Sequence, residues 1–382
     1  MSTPESAKST PAYGKFEGGG HSPVMAMVEI TNRCNMSCPV CFSDANNPSD
    51  HVPFDECIAR LERLAEVSGG KPVPVQISGG EPTLHPELPE IISRANAMGF
   101  KNIELITNGI KVSKDREFLH DLVDRGLTAV YLQFDGLSKD TYMKIRGQDM
   151  TEVRQNAVAA VRSAGICCTL AVAVARGVND HELGDIVSFA FDNVDTIRAI
   201  NFQSATRFTG RFEVEEAEDS EESGYSLPAL LDLLEAQTGL PADSFRSEVL
   251  GHPRCNAMTL AYRIGGKMES LFAYIERETF LALVGDDPRT KVLDLFMGKV
   301  KFAAKHLTNA NALRALRQAA PIFGGDPRNV LEAKHLLVFA KSFMERDSME
   351  DERIDQCIYA ISGAEGVYSF CAFNNLYRFG NS

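Results

Sequence analysis

The 382-residue chain has no apolar run long enough to cross a bilayer. The longest, Ile166 to Ala175, is about half of the roughly 20 residues that a spanning helix needs. Positive charge is also scarce. Lys and Arg number 39 against 52 Asp and Glu, for a net charge of −13, and no basic stripe offsets the deficit. That excludes a general nucleic-acid binder. The N-terminus lacks a basic segment followed by an apolar core, so no secretory signal is expected and a cytoplasmic location is. No repeat of solenoid period stands out. Apolar content of 44% and charged content of 24% are those of a globular protein. Cysteine, by contrast, is present in an informative number. Nine of them, an odd count, point to thiols kept reduced and used for metal.

Residues 1–23, rich in Ser, Thr, Pro and Gly, are expected to be a disordered leader. Apolar segments then alternate with amphipathic ones. Strands are expected over 24–30, 73–78, 102–107, 128–134, 167–175 and 196–204. Helices are expected over 53–68, 86–98, 114–125, 151–164 and 180–192, three of them closed by Gly99, Gly126 and Gly165. Six strands with crossover helices imply a parallel sheet covered on both faces. A doubly wound sheet fits that pattern too. The cysteine-bearing loop after the first strand favours a curled, partial (βα)6 TIM-like barrel of α/β class over 24–210, with its site at the strands' C-terminal ends. An acidic run within 211–226 reads as a solvated linker. Residues 227–382 read as a C-terminal α+β module: a helix over 227–237, a hairpin turning at Gly265-Gly266, several helices between Arg277 and Met344, and a short hairpin from about Asp355 to Phe373. Apolar stretches at Val292–Met297 and Leu336–Phe343 fit either a greasy channel or ordinary helix packing.

The chemistry concentrates in Cys34-Asn35-Met36-Ser37-Cys38-Pro39-Val40-Cys41-Phe42. Three thiolates so close together hold three corners of one iron–sulfur cube. Such a cube normally takes four cysteines, so one iron is left open to bind a small molecule. One βα unit later the second strand ends in Ser78-Gly79-Gly80-Glu81, where two glycines allow close backbone approach to a ligand and Glu81 offers a carboxylate. Asn108, Gln133, Asp135, Asn201 and Gln203 place further polar groups at strand ends; turn or strand-end capping explains each about as well. Arg146 and Arg207 are candidates for an anionic group.

On these two motifs, in this order, residues 24 to about 210 resemble the radical S-adenosylmethionine (SAM) superfamily. The resemblance implies a SAM-binding [4Fe-4S] cluster on Cys34, Cys38 and Cys41, whose open iron takes the amino and carboxylate groups of S-adenosyl-L-methionine. It further implies SAM contacts from Phe42, Gly79, Gly80, Glu81, Asn108, Gln133, Asp135 and Gln203, with Glu81 accepting from the SAM amino group. Reductive cleavage of SAM to a 5′-deoxyadenosyl radical then abstracts hydrogen from an unactivated carbon. An electron donor such as flavodoxin or ferredoxin is implied as partner. One departure stands out: the aromatic residue that many members carry just before the third cysteine is Val40 here, and the aromatic is Phe42.

The remaining cysteines divide. Cys57, Cys167 and Cys168 read as buried core. Cys255, Cys357 and Cys371 sit in His252-Pro253-Arg254-Cys255 and in a Cys-x13-Cys hairpin ending Phe370-Cys371-Ala372-Phe373-Asn374. These segments resemble the branch of tetraether lipid synthases and archaeal pterin methylases. That resemblance implies an auxiliary [4Fe-4S] cluster on Cys255, Cys357 and Cys371, with His252, another group or nothing as fourth ligand. Unrelated buried cysteines and a zinc site are the plainer readings. The expected activity is C–C or C–S bond formation on a small-molecule or lipid-like substrate. A methyltransferase acting on a heterocycle and a non-catalytic iron–sulfur or zinc redox protein are the alternatives.

Overall fold

A computed structural model describes residues 13–17, 22–45, 50–70, 73–213, 224–248, 250–284 and 310–379. Val292–Met297 and most of the acidic run lie outside them. In chain order the first strands are β1 (Met25–Glu29), β2 (Val40–Cys41), β3 (Val75–Ser78), β4 (Ile103–Thr107), β5 (Ala129–Gln133), β6 (Cys167–Val174), β7 (Ile197–Ser204) and β8 (Arg211–Phe212). The six expected strands are β1 and β3–β7, hydrogen-bonded side by side in sequence order and all parallel. Between them run α1 (Phe54–Val67), α2 (Leu88–Ala97), α3 (Ile110–Lys114), α4 (Arg116–Asp124), α5 (Lys139–Arg146), α6 (Thr151–Ser163) and α7 (Leu183–Asp192). Sequence periodicity misses α5, which is short and mostly polar. Ser138 caps it, its hydroxyl accepting from Thr141 N at 3.2 Å. Tyr142 anchors it by donating its hydroxyl to the Phe134 and Gly136 carbonyls.

Alternation along each strand sorts the side chains. Val28, Ile77, Leu105, Val130, Leu132 and Leu170 share one buried core with Leu61, Leu64, Ile91, Leu119, Val158 and Ile186 of the helices. The opposite set, Gln76, Glu104, Tyr131, Thr169 and Asn201, lines the inside of the curl.

Among the described residues, 227–382 do not build a sheet of their own. After α8 (Leu227–Thr238) come β9 (Asn256–Ile264), β10 (Lys267–Ser270), β11 (Leu336–Lys341), β12 (Tyr359–Ser362) and β13 (Val367–Ser369). β11 lies parallel to β7, and β12 parallel to β1 on the far edge. Eight parallel strands therefore run in the order β11-β7-β6-β5-β4-β3-β1-β12, flanked by antiparallel β9–β10 and β13. Both expected hairpins form. The stretch from Leu336, weighed above as a helix, is instead the strand β11, buried at all six positions; a short apolar run fits helix and strand equally. The leader is likewise partly tied down. Phe16 is buried, its N–H donates to Val367 O at 2.8 Å, and Ser369 N donates to Gly14 O at 2.7 Å. Nearby, Arg378 grips Glu29 of β1 through two bonds of 3.0 and 2.8 Å.

Candidate active site

The cysteine loop leaves the C-terminal end of β1, and its neighbours hold it by backbone contact. Gly80 N donates to Thr31 O at 2.8 Å and Glu81 N to Arg33 O at 2.7 Å. A Cβ on Gly79, whose φ is 140°, would lie 2.2 Å from Thr31 O, and one on Gly80 2.2 Å from Arg33 O. Both positions need glycine because the two loops meet there; the expected reason, approach to a ligand, is not required. On the other side β2 pairs with β8, placing Cys41 opposite Arg211. Arg211 in turn pairs with Asp44 at 2.6 Å.

Two of the expected SAM contacts, Glu81 and Asp135, also serve this scaffold. The Glu81 carboxylate is buried and engaged on both oxygens. Oε1 accepts from Thr83 N, Thr83 Oγ1 and Thr107 Oγ1 at 3.1, 2.6 and 2.8 Å, and Oε2 accepts from Asn108 N at 2.8 Å. Burial raises its pKa against these four donors. Glu81 thus clamps the β3 turn to the end of β4, with Oε2 taking a single donor. Asp135 is held in a similar way. Its φ is +51°, and its buried carboxylate accepts from Arg146 Nε and Nη2 at 2.6 and 2.8 Å, from Gln133 Nε2 at 2.7 Å and from Ala173 N at 3.0 Å. Burial alone would raise that carboxyl, but Arg146 holds it below its ordinary 3.8. Arg146 also donates to Val40 O at 3.2 Å, which ties the pair to the cysteine loop. Asn108 donates to Asn35 Oδ1 at 2.7 Å. Arg207 lies outside the cavity lining, its N–H donating to Glu345 Oε1 at 3.2 Å.

Cys34, Cys38 and Cys41 open together on one cavity at the strand ends. Its lining includes Phe42, Ser78, Gly79, Gly80, Asn108, Gln133 and Gln203. Burial pushes the Cys34 thiol up to about 12. Burial also works on Cys41, yet the Ser43 hydroxyl, the Ala45 and Ser43 backbone and Arg211 hold that thiol below its ordinary 9.0. Among the described residues no three Cys, His, Asp or Glu side chains converge as they would on a single metal ion. A cube, whose thiolate corners stand apart by its own width, does not need that convergence. The surroundings suit an anionic group. Arg154 is 1% exposed and lines the cavity, and its Nε and Nη2 have no hydrogen-bond partner.

Sequence reasoning missed Arg154 and an aromatic wall. The signal for Arg154 is its position in the buried stripe Arg154, Ala157, Val158, Val161 of α6. The wall unites Phe42, Phe208, Phe343 and Phe370, with Phe370 lying 6.0, 5.9 and 4.9 Å from the other three ring centres. Gln203 and Asn201 both donate to Tyr131 Oη at 2.8 Å.

Behind Phe370 lies the second cysteine group. Cys255 precedes β9, Cys357 precedes β12, and Cys371 follows β13. Burial first, then the neighbouring Cys357, raises the Cys371 thiol. Burial also pushes Cys357 up to about 11, and Cys255 adds to it. Arg353 Nε lies 3.2 Å from Cys255 Sγ. His252 is buried, its Nδ1 accepting from Arg254 N at 3.2 Å and its Nε2 3.8 Å from Glu352. Of the other cysteines, Cys57 and Cys168 are core as expected, whereas Cys167 borders the barrel interior.

Comparison with known proteins places this geometry. Residues 28–190 match the Radical SAM superfamily. The 7,8-dihydro-6-hydroxymethylpterin dimethyltransferase of Methanocaldococcus jannaschii is 29% identical over 93% of this chain and 77% of its own length. A probable GTP 3′,8-cyclase of Methanothermobacter marburgensis is 32% identical over 44% of this chain and 53% of its own. Among solved structures, Streptococcus suis SuiB bound to S-adenosylmethionine aligns at a TM-score of 0.45 and 18% identity, over 56% of this chain and 47% of that one. No described helix is long and apolar enough to cross a membrane. Residues 28–190 form a radical SAM domain, and that family implies a [4Fe-4S] cluster and SAM.

Proposed function

We propose that Cys34, Cys38 and Cys41 hold the SAM-binding cluster and that SAM lies across the strand ends at Gly79, Gly80, Asn108, Gln133 and Gln203, beside Phe42. When bound, the cluster supplies the electron for reductive cleavage of SAM and so for hydrogen abstraction from an unactivated carbon. The protein's own residues hold the geometry and the surroundings. Glu81 and the Asp135–Arg146 pair fix the cysteine loop. The Phe42, Phe208, Phe343 and Phe370 wall excludes water. Arg154, with Nη1 donating to the Asn108 carbonyl, places two unpartnered donors beside the anionic group.

The reaction we favour is C–C bond formation on a small molecule, methylation of a heterocycle included. The relative that matches nearly the whole chain is named for dimethylation of a pterin. Cys255, Cys357 and Cys371 are the proposed ligands of an auxiliary [4Fe-4S] cluster, supported by the mutual effect of their thiols. Flavodoxin or ferredoxin is the proposed electron donor, and the cytoplasm the proposed location. The observation that carries the reading is the three-cysteine loop opening onto a cavity at the C-terminal ends of a parallel barrel. Iron and sulfide quantification under anaerobic conditions tests it. Two triple Cys→Ala variants, one per cysteine group, are each expected to lose about four irons. Loss only from the Cys34, Cys38, Cys41 variant removes the auxiliary cluster; loss from neither removes both.

A further inference from the structure

Directly beneath the SAM cavity the curl encloses a second, larger one of about 610 Å³, within the range of small-molecule sites. The two are one layer apart. Ile106, Gln133 and Gln203 border the upper cavity, while Glu104, Tyr131 and Asn201, two residues earlier on the same strands, border the lower. Two residues are about 7 Å along a strand, so a molecule in the lower cavity sits next to one bound in the upper.

The walls of the lower cavity are mostly apolar, from Met25, Leu337, Phe339 and Tyr359; Lys101, Arg162, Asp195 and Arg198 also line it, and the argument turns on three further polar groups, Glu104, Lys341 and Tyr131. Glu104 Oε2 accepts from Gln76 Nε2 at 2.8 Å, and among the described residues no donor reaches Oε1. Lys341, on β11, lies near enough to feel Glu104 but forms no ion pair with it; its ammonium rests 4.0 Å from the centre of the Tyr359 ring. Tyr131 Oη accepts from both Asn201 and Gln203, which leaves its proton to donate. An alkyl chain filling this space would bring Glu104 and Lys341 no polar partner. A flat ring presenting adjacent N–H donors to the carboxylate and a carbonyl to the ammonium or phenol satisfies all three groups and stacks on the apolar walls.

We infer that the lower cavity binds a 2-amino-4-oxopyrimidine ring, the shared chemistry of pterins and guanine nucleotides, with Glu104 taking the amino-bearing edge and Lys341 or Tyr131 the carbonyl. This names the substrate class of the enzyme proposed above and rests on that reading. Two relatives bear on the same ring, one named for a pterin and one for GTP.

Titration calorimetry on the full-length, cluster-reconstituted protein tests the inference, with SAM present and reductant absent. The probes are 7,8-dihydro-6-hydroxymethylpterin and GTP, each beside a counterpart in which the 2-amino group is replaced by oxo or absent, 7,8-dihydro-6-hydroxymethyllumazine and ITP. At least one amino-bearing ring is expected to bind at least ~10-fold more tightly than its counterpart. Which one binds separates pterin from nucleotide. Glu104→Gln is expected to weaken that ring at least ~10-fold and to abolish the discrimination. If that variant does not fold, the comparison of ligands on the wild type decides alone. Equal binding of a ring and its counterpart, binding of none of the four, or displacement by a long-chain phospholipid overturns the inference. The proposed chemistry is read separately. Ring binding without 5′-deoxyadenosine after reduction sinks the radical reading alone, and 5′-deoxyadenosine without ring binding sinks this inference alone.

Discussion

A carboxylate at a strand end looks the same in sequence whether it meets a ligand or braces the protein. Glu81 and Asp135 do brace it, because threonine hydroxyls, backbone amides and Arg146 donate to their oxygens, and no local pattern announces those partners. The three cysteines stand out in the sequence because thiols at that spacing have few other uses, and they line one cavity. Asp135→Asn weakens the hold on a buried guanidinium, and a loss of about 3–5 kcal/mol in urea unfolding is expected. The pair also sets an acid response. A carboxyl held below its ordinary 3.8 contributes stability above that value and loses it as pH falls through the lowered one. The wild type is therefore expected to lose more unfolding free energy than Asp135→Asn between pH 5 and the acid limit of folding.

Among the elements, the β3 turn carries the most specific prediction. Gly80→Ala drives a Cβ into the Arg33 carbonyl, so the cysteine loop must move. A loss of about 1–3 kcal/mol in stability is expected, with iron content falling in the same variant. Unchanged iron content would separate the turn from the loop. The six core strands and their helices were legible from alternation and from closing glycines. β11 was not, since five apolar residues followed by Lys341, all six buried, leave no period to read. Neither was α5, which rests on the Ser138 cap and the Tyr142 anchor in place of an apolar stripe.

At the scale of the whole molecule, the C-terminal segments guard both edges of the six-strand sheet. Their pairing joins residues hundreds of positions apart, such as Met25 with Tyr359, and such pairing leaves no local mark in the sequence. A fragment ending at residue 226 exposes β1 and β7 as open edges and is expected to aggregate, by light scattering, at concentrations where the full chain stays dispersed. Arg378→Ala strands the Glu29 carboxylate at the β1 edge, and a loss of about 3–5 kcal/mol is expected. The same arrangement stacks two cavities inside one curl, cysteine loop above and Glu104 below. The most direct test of the account is 5′-deoxyadenosine, quantified by mass spectrometry after anaerobic reduction with SAM. The wild type is expected to form it and the Cys34, Cys38, Cys41 triple alanine variant to form none. Equal amounts from both proteins, or none from a wild type that carries its iron, would contradict it.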